Sequence, residues 1–152
     1  MTAEKEIVNY WYNKKGLFTI NNIKTSSNRD AGILALKFDN DRINEVFHVE
    51  VSCSLTNNIA ETTNLEKSVS TIVNEKFEDK NILDAVNNHI KNFSIQKSKI
   101  KRIMILGAVP KSRKGEIIRK FNEKEVEVIE FENIIYDVLE NLDTQYYKND
   151  II

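Results

Sequence analysis

The sequence predicts an α/β domain: a central mixed sheet with helices on both faces, three layers in all. Three observations carry this. Residues 17–55 read as three consecutive strands, a meander, the first and third alternating and the second an apolar run. Lys101 to Gly107, KRIMILG, is a short continuous apolar run of the kind found in an interior strand covered on both sides. The stretches before, between and after these carry apolar residues at helical spacing. With 152 residues the chain is long enough to bury a core without disulfides. One domain is expected over residues 1–143, with 144–152 as a loose tail.

The elements follow in order. Ala3 to Lys15 is a helix by the recurrence of Ile7, Val8 and Trp11, with Glu4 and Glu6 in its first turn and Gly16 to end it. Leu17 to Lys24 alternates as a half-buried strand, and Thr25 to Asn28 is a turn. Arg29 to Phe38 and Asn44 to Leu55 are strands joined at Asp39 to Arg42. Thr56 to Asn64 is polar and loop-like. Leu65, Val69, Ile72, Val73 and Phe77 then share one helix face, and Ile82, Leu83, Val86, Ile90 and Phe93 share another. After the interior strand and Pro110, a basic helix over Lys111 to Phe121 precedes a strand over Glu125 to Phe131. A helix over Asn133 to Leu142 closes the domain.

Composition narrows the function classes. Lys and Arg number 22 and Asp and Glu 23, a net charge of -1, so a nucleic-acid contact has to come from a local basic patch. Cys53 is the only cysteine, which excludes an internal disulfide framework and a zinc site built on several thiolates. No apolar run approaches the roughly 20 residues of a membrane span, and the start lacks the pattern of a signal peptide, so the expected location is cytoplasmic.

Two carboxylates stand out. Asp30 opens the otherwise apolar second strand. In the third strand Phe47, Val49, Val51, Cys53 and Leu55 point one way, and His48, Glu50 and Ser52 point the other. An ionised carboxylate in a half-buried strand is costly unless paired, hydrogen-bonded or bound to a metal. Taken singly, Asp30 also reads as a turn residue or a partner of Arg29, Glu50 as facing solvent, and His48, which could be a ligand or proton carrier, as a packed or surface residue. Cys53 reads as core. Lys111, Ser112, Arg113 and Lys114, with Arg119 and Lys120, form the best phosphate-contact cluster, and Lys97, Lys99, Lys101 and Arg102 form a second. The alternative for each is a solvated face. No Gly-rich phosphate loop is present.

The element order together with Asp30, Glu50, the helix acid Glu6 (or Glu4), the aromatic-rich NYWYNKKGLF and the strand HVEVSCS resembles the restriction-endonuclease-like PD-(D/E)XK nuclease superfamily. The similarity is to its small archaeal-type members, and the Glu75-Lys76-Phe77 step belongs to it as well. The resemblance implies a restriction-endonuclease-like fold and Mg²⁺-dependent (or Mn²⁺-dependent) hydrolysis of DNA phosphodiesters. Asp30, Glu50 and the carbonyl of Val51 would be the metal ligands, with Glu6 an accessory acid. Lys14 and Lys15, beside Lys111, Arg113 and Lys114, join the candidate DNA contacts, and a homodimer with paired sites is expected by the same analogy. The family's lysine position is occupied here by Ser52, which supplies a hydroxyl and no charge. Either a lysine from another element replaces it, with Lys14, Lys15 and Lys67 nearest in motif order, or the domain is catalytically inactive and serves as a binding or dimerisation module.

Overall fold

A computed structural model describes residues 2–93 and 100–150, of which residues 92 and 143–150 are described by their backbone alone. Five strands form one mixed sheet in sequence order: β1 (Phe18–Ile20), β2 (Ile33–Asp39), β3 (Arg42–Val51), β4 (Ile100–Leu106) and β5 (Val126–Glu130). The first three are antiparallel, and β4 and β5 are parallel to β3. The meander is tight because Asn40 and Asp41 both adopt positive φ, the geometry of a two-residue hairpin turn, and Asp39 pairs with Arg42.

Because side chains alternate along strands, the sheet sorts its apolar residues into two layers. Ile33, Ala35, Val49, Ile103 and Ile105 pack against α1 (Ala3–Lys14) and α6 (Phe131–Asp150). On the opposite face Leu34, Leu36 and Val46 pack against α4 (Lys80–Ile90). Beside them Met104, Leu106 and Val126 pack against α3 (Leu65–Val73) and α5 (Lys111–Glu123). The α/β class and the mixed sheet are as the sequence predicts. Thr2 caps α1 by accepting from the Lys5 N–H, and Gly16 leaves it at φ 87°.

Several boundaries differ, each for a local reason. β1 stops at Ile20 because Asn22 turns into positive φ, leaving only an isolated bridge between Lys24 and Asp30. β2 starts at Ile33, not Arg29, because Gly32 sits at φ 91°. Asp30 therefore precedes the strand. β3 ends at Val51, and Cys53–Leu55 forms a 3₁₀ turn, so Cys53 is half-buried outside the sheet and not a core strand residue. The segment expected as loop from Thr56 contains a short helix, α2 (Thr56–Glu61), with Ile59 buried. Asn74–Glu78 makes a turn of π-helix between α3 and α4. The last helix runs on to Asp150 past the expected end at Leu142, with Leu139 and Leu142 exposed. Lys97, Lys99 and the end of the expected tail, residues 151 and 152, lie outside the described residues.

Candidate functional site

The meander and the crossover converge on Glu50. It is the penultimate residue of β3, on the face toward α3 and α4, and only 6 % exposed. Its register partner lies just beyond the β2 ladder: Ile33 pairs with Val49, so Gly32 stands across from Glu50. A Cβ at position 32 would lie 3.1 Å from Glu50 Oε2 and 2.5 Å from the carbonyl oxygen of Val49. Glycine is what allows the two backbones to approach this closely. It also means that β2 offers no side chain to Glu50 there.

A cation reaches Glu50 from the crossover. Lys76 Nζ lies 3.7 Å from Glu50 Oε1, and the Ser52 hydroxyl donates to the same oxygen at 3.4 Å. The π-helical turn makes this placement. Its wide ring, closed by the Asp79 N–H on the Asn74 carbonyl at 2.7 Å, sets Phe77 into the core while Lys76 reaches the carboxylate. Burial raises the Glu50 pKa; Lys76, then Lys5, then Ser52 pull it in the other direction.

Asp30 has a different partner. Its Oδ1 accepts the Gly32 N–H at 2.9 Å and its Oδ2 pairs with Lys5 of α1. Lys5 loses proton affinity through its own burial and through Lys24 and Lys76, with Glu50 opposing. Lys5, Lys24, Asp30, Glu50 and Lys76 are thus one electrostatic cluster of three cations and two anions. Lys24 forms no ion pair among the described residues. A cavity of about 400 Å³ opens beside this cluster, lined in part by Thr2, Lys5, Asn21, Asn22, Lys24 and Asp30.

His48 is a structural residue. It is 2 % exposed, its Nε2–H donates to the Ala31 carbonyl at 2.7 Å, and its ring meets Phe77 edge-on at 5.1 Å. Burial pushes its pKa down to about 4, against the Ala31 bond. Val51 turns its side chain into the layer under α1 and α6. Glu6 is exposed and makes no ion pair or hydrogen bond with Asp30 or Glu50. The acids expected together are therefore not all brought together: Asp30 and Glu50 share the cluster and Glu6 stays outside it.

The basic helix is mostly committed elsewhere. Arg113 Nη1 donates to the carbonyls of Ala60 and Thr62 at 2.9 and 2.7 Å, and Lys114 pairs with Glu130. Lys111 is exposed. Lys14 and Lys15 are also exposed, over the rings of Tyr10 and Trp11 at 5.7 and 4.2 Å, and neither reaches Glu50; nor does Lys67. Sequence reasoning missed Lys5 and the role of Gly32, and it named Lys76 only within the Glu75-Lys76-Phe77 step, without a place at Glu50. Besides that step, the signal for Lys76 was its neighbour Phe77, whose place on the apolar face fixed where this turn had to pack.

The donor set does not suit Mg²⁺ or Mn²⁺. Three carboxylate oxygens already face Lys5, the Gly32 N–H, or Lys76 and Ser52, and a divalent ion would have to displace lysines it repels. Among the described residues no group of three or more His, Cys, Asp or Glu is placed to hold a metal ion. No helix of those residues is long and apolar enough to cross a membrane. Comparison with protein-family models, curated proteins and solved structures finds no match to this chain.

Proposed function

We propose that the protein is a restriction-endonuclease-like domain that binds the phosphate backbone of DNA without hydrolysing it. One observation carries this reading: both carboxylates of the expected site are already answered by lysines, Asp30 by Lys5 and Glu50 by Lys76, and Lys24 leaves the cluster with a surplus positive charge. A hydrolytic site holds carboxylates ready for a metal. Here they anchor cations, and anchored cations at a sheet end suit phosphate oxygens. The fold assignment is supported by the mixed sheet in sequence order and by Glu50 and Ser52 meeting on one face.

Hydrolysis is the second reading, and Lys76 is what favours it, since it brings a positive charge to Glu50 as the missing strand lysine would. One experiment separates the two. Labelled linear, nicked and branched DNA is incubated with the wild type, Asp30→Ala and Glu50→Ala in Mg²⁺ and in Mn²⁺, with binding and cleavage read together. Binding without cleavage is expected, and so is a melting temperature unchanged by either ion, because only a ligand of the native state raises it. Cleavage by the wild type that Glu50→Ala abolishes while still folded would overturn the proposal.

A further inference from the structure

We infer that the cavity between the start of α1 and the Asn21 to Lys24 segment binds a phosphate-monoester dianion. The inference rests on the binding reading above and is narrower, since it names one pocket and one form of phosphate. The cavity holds about 400 Å³, and polar side chains dominate the part of its wall at issue. Two lysines line it. Lys5 is held by Asp30, and Lys24 is exposed with no ion pair among the described residues. Lys24 and Lys76 each stand close enough to repel the Lys5 ammonium, against the attraction of Glu50. An anion with more than one charge relieves that repulsion, where a chloride or a single diester charge relieves less.

Neutral donors complete the wall. Asn21 Nδ2 donates to Asn9 Oδ1 at 3.1 Å and Asn22 Nδ2 to Asn21 Oδ1 at 3.4 Å, so each amide keeps a second N–H for an incoming oxygen. The Asp30 carboxylate is not free to fill the cavity, because Gly32 N–H and Lys5 fix its two oxygens. A monoester presents three acceptor oxygens at the end of a molecule and fits a concave pocket. A diester within a continuous strand has to pass across the mouth.

The test titrates the full chain with inorganic phosphate at constant ionic strength, following amide chemical shifts. It then compares one DNA duplex with and without a 5′-phosphate. Saturable shifts at Lys24 and Asn22 are expected, and Lys24→Ala and Lys5→Ala each weaken phosphate binding by about tenfold or more. Tighter binding of the phosphorylated duplex identifies a DNA end as the source. Equal binding of both duplexes with phosphate still bound identifies a small phosphorylated molecule. No saturable phosphate shift, or shifts that Lys24→Ala leaves unchanged, overturns the inference. If the unphosphorylated duplex still binds in that case, the broader DNA-binding reading survives it; if neither duplex binds, both fall.

Discussion

Two buried titratable residues on one strand pull stability in opposite directions with pH. His48 has its pKa pushed down to about 4 from 6.5 by burial, so below 6.5 the unfolded chain takes up a proton that the fold refuses. Its contribution is complete above 6.5 and is lost as pH falls toward 4, on the order of 3 kcal/mol in all. Glu50, with a raised pKa, has the opposite sign: its buried charge costs stability at neutral pH, and the cost lifts as acid protonates it. Denaturation of the wild type and His48→Gln across this window isolates the histidine. The wild-type advantage is expected to shrink between pH 6.5 and 4, and a constant difference would show that His48 does not titrate as a buried group. Lys76 tests the other residue. Lys76→Met strands a buried carboxylate, and because the lysine itself is a third exposed the expected loss is about 1–2 kcal/mol. Adding Glu50→Gln should restore most of it. A double variant no better than the single would show that Lys76 acts through packing and not through Glu50.

At the level of elements, the positions the sequence hid are those where the backbone departs from a regular period. The apolar pattern located every strand of the sheet, because alternation and burial obey the same geometry in β2, β3 and β4. It could not show that Gly32 breaks away from Ile33, since AGIL reads as one apolar run whatever the glycine's φ. Nor could it show the π-helical turn, because periodicity places Phe77 correctly on either a regular or a widened helix and says nothing of Lys76 beside it. Lys5 was hidden differently, as a first-turn residue between two acids that reads as solvent-facing. Gly32→Ala is the direct test of the strand entry. It meets the Val49 carbonyl and an unfavourable φ together, so a loss of about 3 kcal/mol or more is expected by chemical denaturation. A loss below about 1 kcal/mol would mean that β2 and β3 part easily here. Arg113 ties α5 to the end of α2, and Arg113→Met removes two charge-assisted bonds to carbonyls for about 1–3 kcal/mol. DNA affinity should be unaffected by that change in a folded variant, and a selective loss of binding would return Arg113 to the interface.

Across the whole molecule, charge decides how tightly the proposed DNA contact can hold. The net charge is -1, so long-range attraction is negligible and binding depends on a few local cations. The sequence suggested α5, where basic residues are densest. The fold engages three of them internally, Lys114 on Glu130, Lys120 on Glu66 and Arg113 on carbonyls. A linear sequence records the density of charge and not its partners, which lie on other elements. Around Asp30 and Glu50 stand Lys5, Lys24 and Lys76, of which Lys24 alone forms no ion pair among the described residues. Each phosphate neutralised releases condensed counterions, so three contacts correspond to a slope of about -3 in log affinity against log salt concentration on duplex DNA. Lys24→Ala should reduce that slope by about 1, while Lys111→Ala and Lys114→Ala leave it unchanged. A slope steeper than about -5, or one that responds to Lys114 and not to Lys24, would place the contact on α5 and remove the cluster around Glu50 from DNA recognition.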